Sequence, residues 1–254
     1  MKIGGVGAIV TGGASGLGRA AVKRLAEVGG KVAIFDLDQT LGSALAAETG
    51  GSFHRIDVSD ADAVADAIFE AERLHGKARI LVNCAGIGRP ARVIGSDGAV
   101  LPLADFQSIV SINLVGSFNV LSQFAQRLHD ADLANAEERG VIVNTASIAA
   151  FDGQIGQAAY AASKAGIVGM TLPIAREFAR YGIRVVTIAP GLFLTPALAS
   201  LPQDVLTTLG GQVPFPRRLG DPDEYAQMVE AIVLNPMVNG ETIRLDGAMR
   251  MGPK

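Results

Sequence analysis

Ser147, Tyr160 and Lys164 stand in the pattern Ser-x12-Tyr-x3-Lys, and Asn113 precedes them. A tyrosine and a lysine four positions apart share one face of a helix and come within contact distance. An ammonium beside a phenol favours the phenolate. It draws a group that titrates near pH ~10 toward the range where it can accept the proton of an alcohol. Ser147 ends the β-rich run Val141-Ile-Val-Asn-Thr-Ala-Ser147, so a strand would deliver its hydroxyl to the same oxygen. Together the four residues describe a proton-transfer apparatus for oxidising an alcohol. A Tyr-x3-Lys pair alone is as often an ordinary feature of a helix, so the reading depends on what else the chain positions around it.

The first such element is at the amino end. Val6-Gly-Ala-Ile-Val-Thr11 is short, apolar and β-branched. It breaks into Gly12-Gly13-Ala14-Ser15-Gly16-Leu17-Gly18, and helical periodicity resumes through Ala20 to Leu25. Strand, glycine turn and helix in that order let backbone N–H groups approach a pyrophosphate at the positive end of a helix, which expects a dinucleotide. A second strand, Lys31 to Phe35, ends in Asp36, 20 residues after Gly16. At that interval an acidic side chain reaches the ribose hydroxyls of the adenosine half. A 2′-phosphate there would meet a carboxylate, with Leu37 and Asp38 offering no cation, so NAD is expected over NADP.

The 254 residues, 49% of them hydrophobic, suit one α/β domain spanning 1–254. Further β-rich runs at Ser52 to Ile56, Arg79 to Val82, Ile183 to Ile188 and Thr242 to Leu245 alternate with helical patterns. This predicts a doubly wound parallel sheet of about seven strands with helices on both faces. Ligands of such sheets bind outside the carboxyl ends of the strands, where Gly12, Asp36, Asn83, Ser147 and Pro190 all fall. Pro173 should kink the helix carrying Tyr160 or leave a carbonyl to be satisfied otherwise. Ile87 to Leu103 reads as a long loop near the site.

A net charge of -3 gives little electrostatic support for nucleic-acid binding. His54, His75 and His129 lack metal-ligand spacing and read as structural, so no metal is expected. The single Cys84 has no partner for an internal disulfide. No run of 18 apolar residues predicts a membrane span, and the start leads directly into the first strand, so a cytoplasmic protein is expected.

With Thr11-Gly-Gly-Ala-Ser-Gly-Leu-Gly18 at one end and Ser147, Tyr160 and Lys164 in the middle, the chain resembles the short-chain dehydrogenase/reductase family over essentially its whole length. Further family marks fall on Asp57-Val58, on Asn83-Cys84-Ala85-Gly86, on Asn113, and on Pro190-Gly191 with Phe193 and Thr195. Cys84 departs from the commonest pattern, which has a second Asn there. The resemblance implies a Rossmann-like fold with NAD held by Gly12, Ser15, Gly16, Leu17, Gly18, Asp36, Asp57, Val58, Asn83, Ala85, Gly86, Pro190, Gly191, Phe193 and Thr195, and by Tyr160 and Lys164. It implies Tyr160 as general acid/base, Lys164 lowering its pKa and binding the nicotinamide ribose, Ser147 polarising the substrate oxygen, and Asn113 holding a relay water. It also implies a homotetramer packed through the helices around Asn113 and Tyr160.

Within the family, Gly153 to Arg176, Ile188 to Pro196, Gln212 to Pro222 and Gly240 to Gly247 resemble the type II 3-hydroxyacyl-CoA dehydrogenases, also called 17β-hydroxysteroid dehydrogenases. That group implies oxidation of the 3-hydroxyl of an acyl-CoA. A steroid or other secondary-alcohol dehydrogenase, a 3-oxoacyl reductase and an NAD-binding scaffold subunit remain open beside it. Residues 192–218 lie where the family has its substrate-binding loop and helices. In them Leu198, Leu201, Val205, Leu206 and Leu209 have near-helical spacing, which favours core packing over a ligand wall by two to one. Gln154 and Gln157, close to Tyr160, are candidate polar substrate contacts beside Ser147. Arg89, Arg92, Arg217 and Arg218 are candidates for CoA phosphates.

Overall fold

The computed structural model describes residues 1–134 and 137–253. Seven strands, β1 (Gly7–Thr11), β2 (Lys31–Asp36), β3 (Ser52–Arg55), β4 (Ala78–Asn83), β5 (Gly140–Thr145), β6 (Ile183–Pro190) and β7 (Thr242–Leu245), form one sheet in the order β3-β2-β1-β4-β5-β6-β7. Every neighbouring pair is parallel. Parallel neighbours need crossovers, and ten α-helices among the described residues supply them or line the site.

The central strands are apolar on both faces because both faces are covered. Val10, Ile34, Val82, Val143 and Ile188 point into one layer, with α1 (Gly16–Glu27), α2 (Gln39–Thr49) and α10 (Pro222–Leu234). Ile9, Phe35, Leu81, Ile142 and Val185 point into the other, with α3 (Ala61–His75), α5 (Gly116–Leu128) and α7 (Ala158–Phe178). The doubly wound expectation holds, and each expected strand is present within two residues of its expected ends. The site therefore lies where the connections leaving the neighbouring strands β1 and β4 turn to opposite faces of the sheet, a switch point at their carboxyl ends.

Two local features shape the second layer. From α4 (Leu103–Val110) the chain passes through a π-helical turn, Ser111–Val115, into α5. Such a turn inserts an extra residue and re-aims the side chains it carries. The whole run Leu103–Leu128 is long and apolar enough, by length and composition, to cross a membrane. In this fold its inner face packs on α3, α7 and β4, as a core helix must. Val115 and Phe118, on its outer face, and Leu172 on α7 are exposed.

Helix α7 runs continuously through Pro173. Proline there cannot donate to the carbonyl of Gly169, and both residues lie on the exposed side, where water can satisfy that oxygen. The expected loop after β4 is present from Ile87 to Pro102, drawn together at its tip by an antiparallel bridge between Ile94 and Val100.

Candidate active site

A groove of about 600 Å³ crosses the carboxyl ends of the strands. Gly12, Ser15, Gly16, Leu17 and Gly18 line its floor. Asp36, Asp57 and Val58 line one end, and Ser147, Tyr160 and Lys164 the other. Ala85, Gly86, Pro190, Gly191, Phe193 and Thr195 complete walls read from the sequence.

The glycine loop is built for close approach. Gly12 and Gly16 have positive φ, +61° and +53°. A Cβ on Gly12 would stand 2.7 Å from the amide nitrogen of Ala85, and one on Gly18 would overlap the carbonyl oxygen of Gly12. The loop is thus pressed against β4 on one side and the start of α1 on the other, leaving N–H groups at the amino end of α1 facing the groove. Asp36 braces the turn as well as the groove. Its Oδ2 accepts from the Ala14 N–H at 3.0 Å and its Oδ1 from the Asp38 N–H at 3.0 Å.

The structure adds one cation that linear reading did not bring to this end. Arg55 sits opposite Asp36 in the β2–β3 register and its Nε donates to the Leu37 carbonyl at 3.3 Å. Arg19, which follows the loop, turns instead to Glu48 at 3.6 Å. The cradle fits a dinucleotide: backbone donors for a diphosphate, a carboxylate at the ribose end, and a length of groove between them.

At the other end, α7 carries Tyr160 and Lys164 one turn apart, and Ser147 lies two residues past β5. Lys164 Nζ donates to the Thr145 carbonyl at 2.8 Å and lies 5.8 Å from the Tyr160 ring centroid. Burial of the ammonium brings Lys164 down to about 8. Burial pushes the Tyr160 phenol above its ordinary value, and the Ser147 hydroxyl within hydrogen-bond reach pulls it part of the way back. Lys164 rests on a backbone carbonyl, and burial makes both its ammonium and the Tyr160 phenolate costly, so each charge gains most from the other. Ser147 is held in a tight turn in which its Oγ accepts from the Ala149 N–H at 3.1 Å.

Asn113 falls in the π-helical turn and is fully buried. Its Oδ1 accepts from the Ile87 N–H at 2.8 Å, and its Nδ2 donates to the Ile87 carbonyl at 2.9 Å and to Ser163 Oγ at 3.0 Å. Ser163 in turn donates to the Tyr160 carbonyl at 2.8 Å. Asn113 therefore ties the segment after β4 to the helix bearing Tyr160, without lining the groove.

Three more sequence candidates do not line the groove. Asn83 is buried in the sheet, donating to the Asn144 Oδ1 at 3.0 Å and accepting from Thr11 Oγ1 at 3.4 Å. It holds strand ends in register. Gln157 Oε1 accepts from the Gln154 N–H at 3.0 Å, and Gln154 Nε2 donates to the Gly252 carbonyl at 3.2 Å. These amides brace the start of α7 and the carboxyl-terminal tail. Of the four arginines, Arg218 is held by both oxygens of Glu224, at 2.8 and 2.7 Å.

The leucine stripe is corrected too. Leu198 falls on α8 (Pro196–Ala199), Val205, Leu206 and Leu209 on α9 (Gln203–Gly211), and Leu201 between them; Leu201 and Val205 are each 37% exposed. None of its residues belongs to a core cluster: Pro202 breaks the periodic run, and Leu198 lines the groove instead. Sequence reading missed Thr145, whose carbonyl holds Lys164, and the apolar walls Phe35, Leu37 and Ile56. Thr145 had a signal, its place at a strand end two residues before Ser147. The walls had none, because apolar residues at strand ends are the commonest kind.

Such a groove can hold a nicotinamide dinucleotide against groups able to move a proton, which is the work of an oxidoreductase. The family model of the short chain dehydrogenases matches residues 7–206, and the chain belongs to that family. It is 50% identical over 252 residues to the human 3-hydroxyacyl-CoA dehydrogenase type-2, covering 98% of this chain and 97% of that one. It is 51% identical over 249 residues to the Drosophila melanogaster protein of the same name, covering 96% and 97%. The crystal structure of 3-hydroxyacyl-CoA dehydrogenase type-2 from Mycobacterium avium superposes with a TM-score of 0.94 at 42% identity, covering all of both chains.

Proposed function

We propose that the protein oxidises the 3-hydroxyl of an acyl-CoA to the 3-oxoacyl-CoA, with NAD as hydride acceptor. The observation that carries the substrate is the half-identity, over nearly the whole length of both chains, to proteins named for that reaction. The choice of NAD is supported by Asp36, a groove-lining carboxylate at the end of β2 that would repel a 2′-phosphate, while Arg19 is engaged by Glu48.

In this reading Gly12, Ser15, Gly16, Leu17 and Gly18 hold the diphosphate, Asp36 the adenosine ribose, and Asp57 and Val58 flank the adenine. When bound, the cofactor supplies the hydride-accepting carbon and, in its oxidised form, a positive charge. The substrate hydroxyl sits between Ser147 and Tyr160. Ser147 donates to or accepts from its oxygen, and the Tyr160 phenolate takes its proton as the carbinol hydride leaves. Lys164 holds the nicotinamide ribose and, while protonated, favours the phenolate. Asn113 fixes the segment Ile87–Gly88 beside the Tyr160 ring, and so the wall the substrate meets. Leu192, Phe193 and Leu198 face the apolar side of the groove.

The test is NADH formation by purified enzyme offered (S)-3-hydroxybutyryl-CoA, longer 3-hydroxyacyl-CoAs, a 17β-hydroxysteroid and simple secondary alcohols, each with NAD or NADP. Strong preference for the CoA esters and for NAD is expected. Activity on steroids or free alcohols only would remove the CoA assignment, equal efficiency with NADP would remove the role given to Asp36, and silence with NAD still bound would favour a scaffold.

A further inference from the structure

Beneath Lys164 lies a polar cluster that the reaction as derived does not use. Tyr225, on α10, is fully buried, the largest side chain so enclosed. Its hydroxyl lies 2.8 Å from Thr145 Oγ1 and 3.3 Å from Cys84 Sγ, and Thr145 Oγ1 donates to Cys84 Sγ at 3.3 Å. Each of the three groups has one hydrogen to give. With the threonine hydrogen committed to sulfur, the phenol must donate to Thr145 Oγ1, and the thiol is left to donate to the phenol oxygen. The ring closes on itself, every member donating once and accepting once. It joins α10, the residue just past β4 and the last residue of β5.

Two consequences bear on the site. The backbone carbonyl of Thr145 is the anchor of Lys164 Nζ, so the ring holds at its side chain the residue whose main chain holds the lysine. Burial holds Cys84 as a neutral thiol against the downward pull of its Thr145 and Tyr225 hydrogen bonds, so no thiolate competes with the Tyr160 phenolate for the ammonium. Cys84 stands where the commonest family pattern has Asn, and here Tyr225 and Thr145 are the hydroxyls it meets.

We propose that Tyr225 is a positioning residue of the proton-transfer site, closing with Thr145 and Cys84 a hydrogen-bonded ring that fixes the carbonyl on which Lys164 rests. This builds on the reading of Tyr160 and Lys164 as the proton-transfer pair. Tyr225→Phe removes one hydroxyl and keeps the buried ring, so the fold should persist. Thr145→Val, close to isosteric, breaks the same ring from its other side.

Both variants should lower kcat about tenfold, with KM for the acyl-CoA changed less. Both should move the acid limb of the kcat profile, and the ultraviolet titration of the Tyr160 phenol measured against Tyr160→Phe, upward by about half a unit. Val229→Ala, in the core on the same helix, should lower the melting temperature and leave the pH profile where it is. A Tyr225→Phe enzyme that melts earlier but keeps its kcat, profile and phenol titration would make Tyr225 a packing residue and overturn the proposal. Wild-type enzyme inactive on the whole substrate panel would remove the reaction assigned above. The phenol titration would then decide the positioning role by itself, a shift upholding it and no shift ending it.

Discussion

The two walls of the groove are made differently. The cofactor side is assembled from strand ends and a glycine turn with almost no freedom: Thr11, Asn83, Asn144 and Thr187 form a buried polar row across neighbouring strands, and the glycine loop touches backbone on both sides. The arm formed by residues 192–218 carries two short helices, the first of which lines the groove. It is fixed mainly where Phe193 and Val213 are buried, while Leu201, Val205 and Phe215 remain exposed. A wall with few buried contacts opens at lower free energy than one built into the sheet. The glycine cradle is thus a preformed surface, and the arm a less tightly held one. That division suits an enzyme whose cofactor is constant and whose substrate must enter, react and leave.

Tyr160→Phe gives the largest expected effect and strikes the rigid side. Removing the hydroxyl should cost about 10³-fold in kcat, ~4 kcal/mol of transition-state stabilisation. NAD binding, followed by fluorescence titration of NADH, should change little, because the cradle is independent of the phenol. Loss of binding together with turnover would mean that the two ends are not separable.

Paired glycine substitutions test the contrast between the walls. Gly18→Ala places a methyl against the Gly12 carbonyl and should destabilise the protein by about 3 kcal/mol while weakening NAD binding. Gly211→Ala, at the end of α9, has open space for its Cβ and should change stability by no more than ~0.5 kcal/mol. Thermal unfolding with and without NAD reads both, and similar losses from the two would erase the distinction.

A pH-dependent effect of about the same size follows from Lys164, whose native pKa is about 8 against an ordinary 10.5. Below pH 8 both native and unfolded chains carry the proton, and the full cost of burying the ammonium is present. Between pH 8 and 10.5 only the unfolded chain binds it, so that cost fades as pH rises, by about 3 kcal/mol over the window. Lys164→Met removes this dependence. The stability of Lys164→Met relative to wild type, from denaturant unfolding, should be highest near neutrality and fall across that window, even though the variant loses turnover. A flat difference would contradict the buried, charged lysine.

The sequence made the rigid wall legible because its demands are local. Glycine at Gly12 and Gly18, an acid at the end of a β-branched strand, and Tyr160 four positions before Lys164 each follow from one residue's chemistry and its distance along the chain. Asn83 and Asn113 were read as part of the site, yet their amides are spent on the sheet and on Ile87, a distinction that needs to know which way a side chain turns. Gln154 and Gln157 show the same limit, since closeness in sequence to Tyr160 did not bring them to the groove. The apolar stripe of residues 198–209 reads as core more readily than as ligand wall because helical spacing reports a stripe, not what it faces, and Pro202 divides the run. The Tyr225–Thr145–Cys84 ring joins residues 141 positions apart and left no trace in any local pattern.

The most direct measurement follows the hydride. 3-Hydroxybutyryl-CoA carrying deuterium at its carbinol carbon, incubated with enzyme and NAD, should yield NADH one mass unit heavier, with the label at nicotinamide C4, and unlabelled 3-oxobutyryl-CoA. Oxidation without transfer of the label, or no reduced cofactor at all, would contradict direct hydride transfer at the Ser147–Tyr160–Lys164 end of the groove.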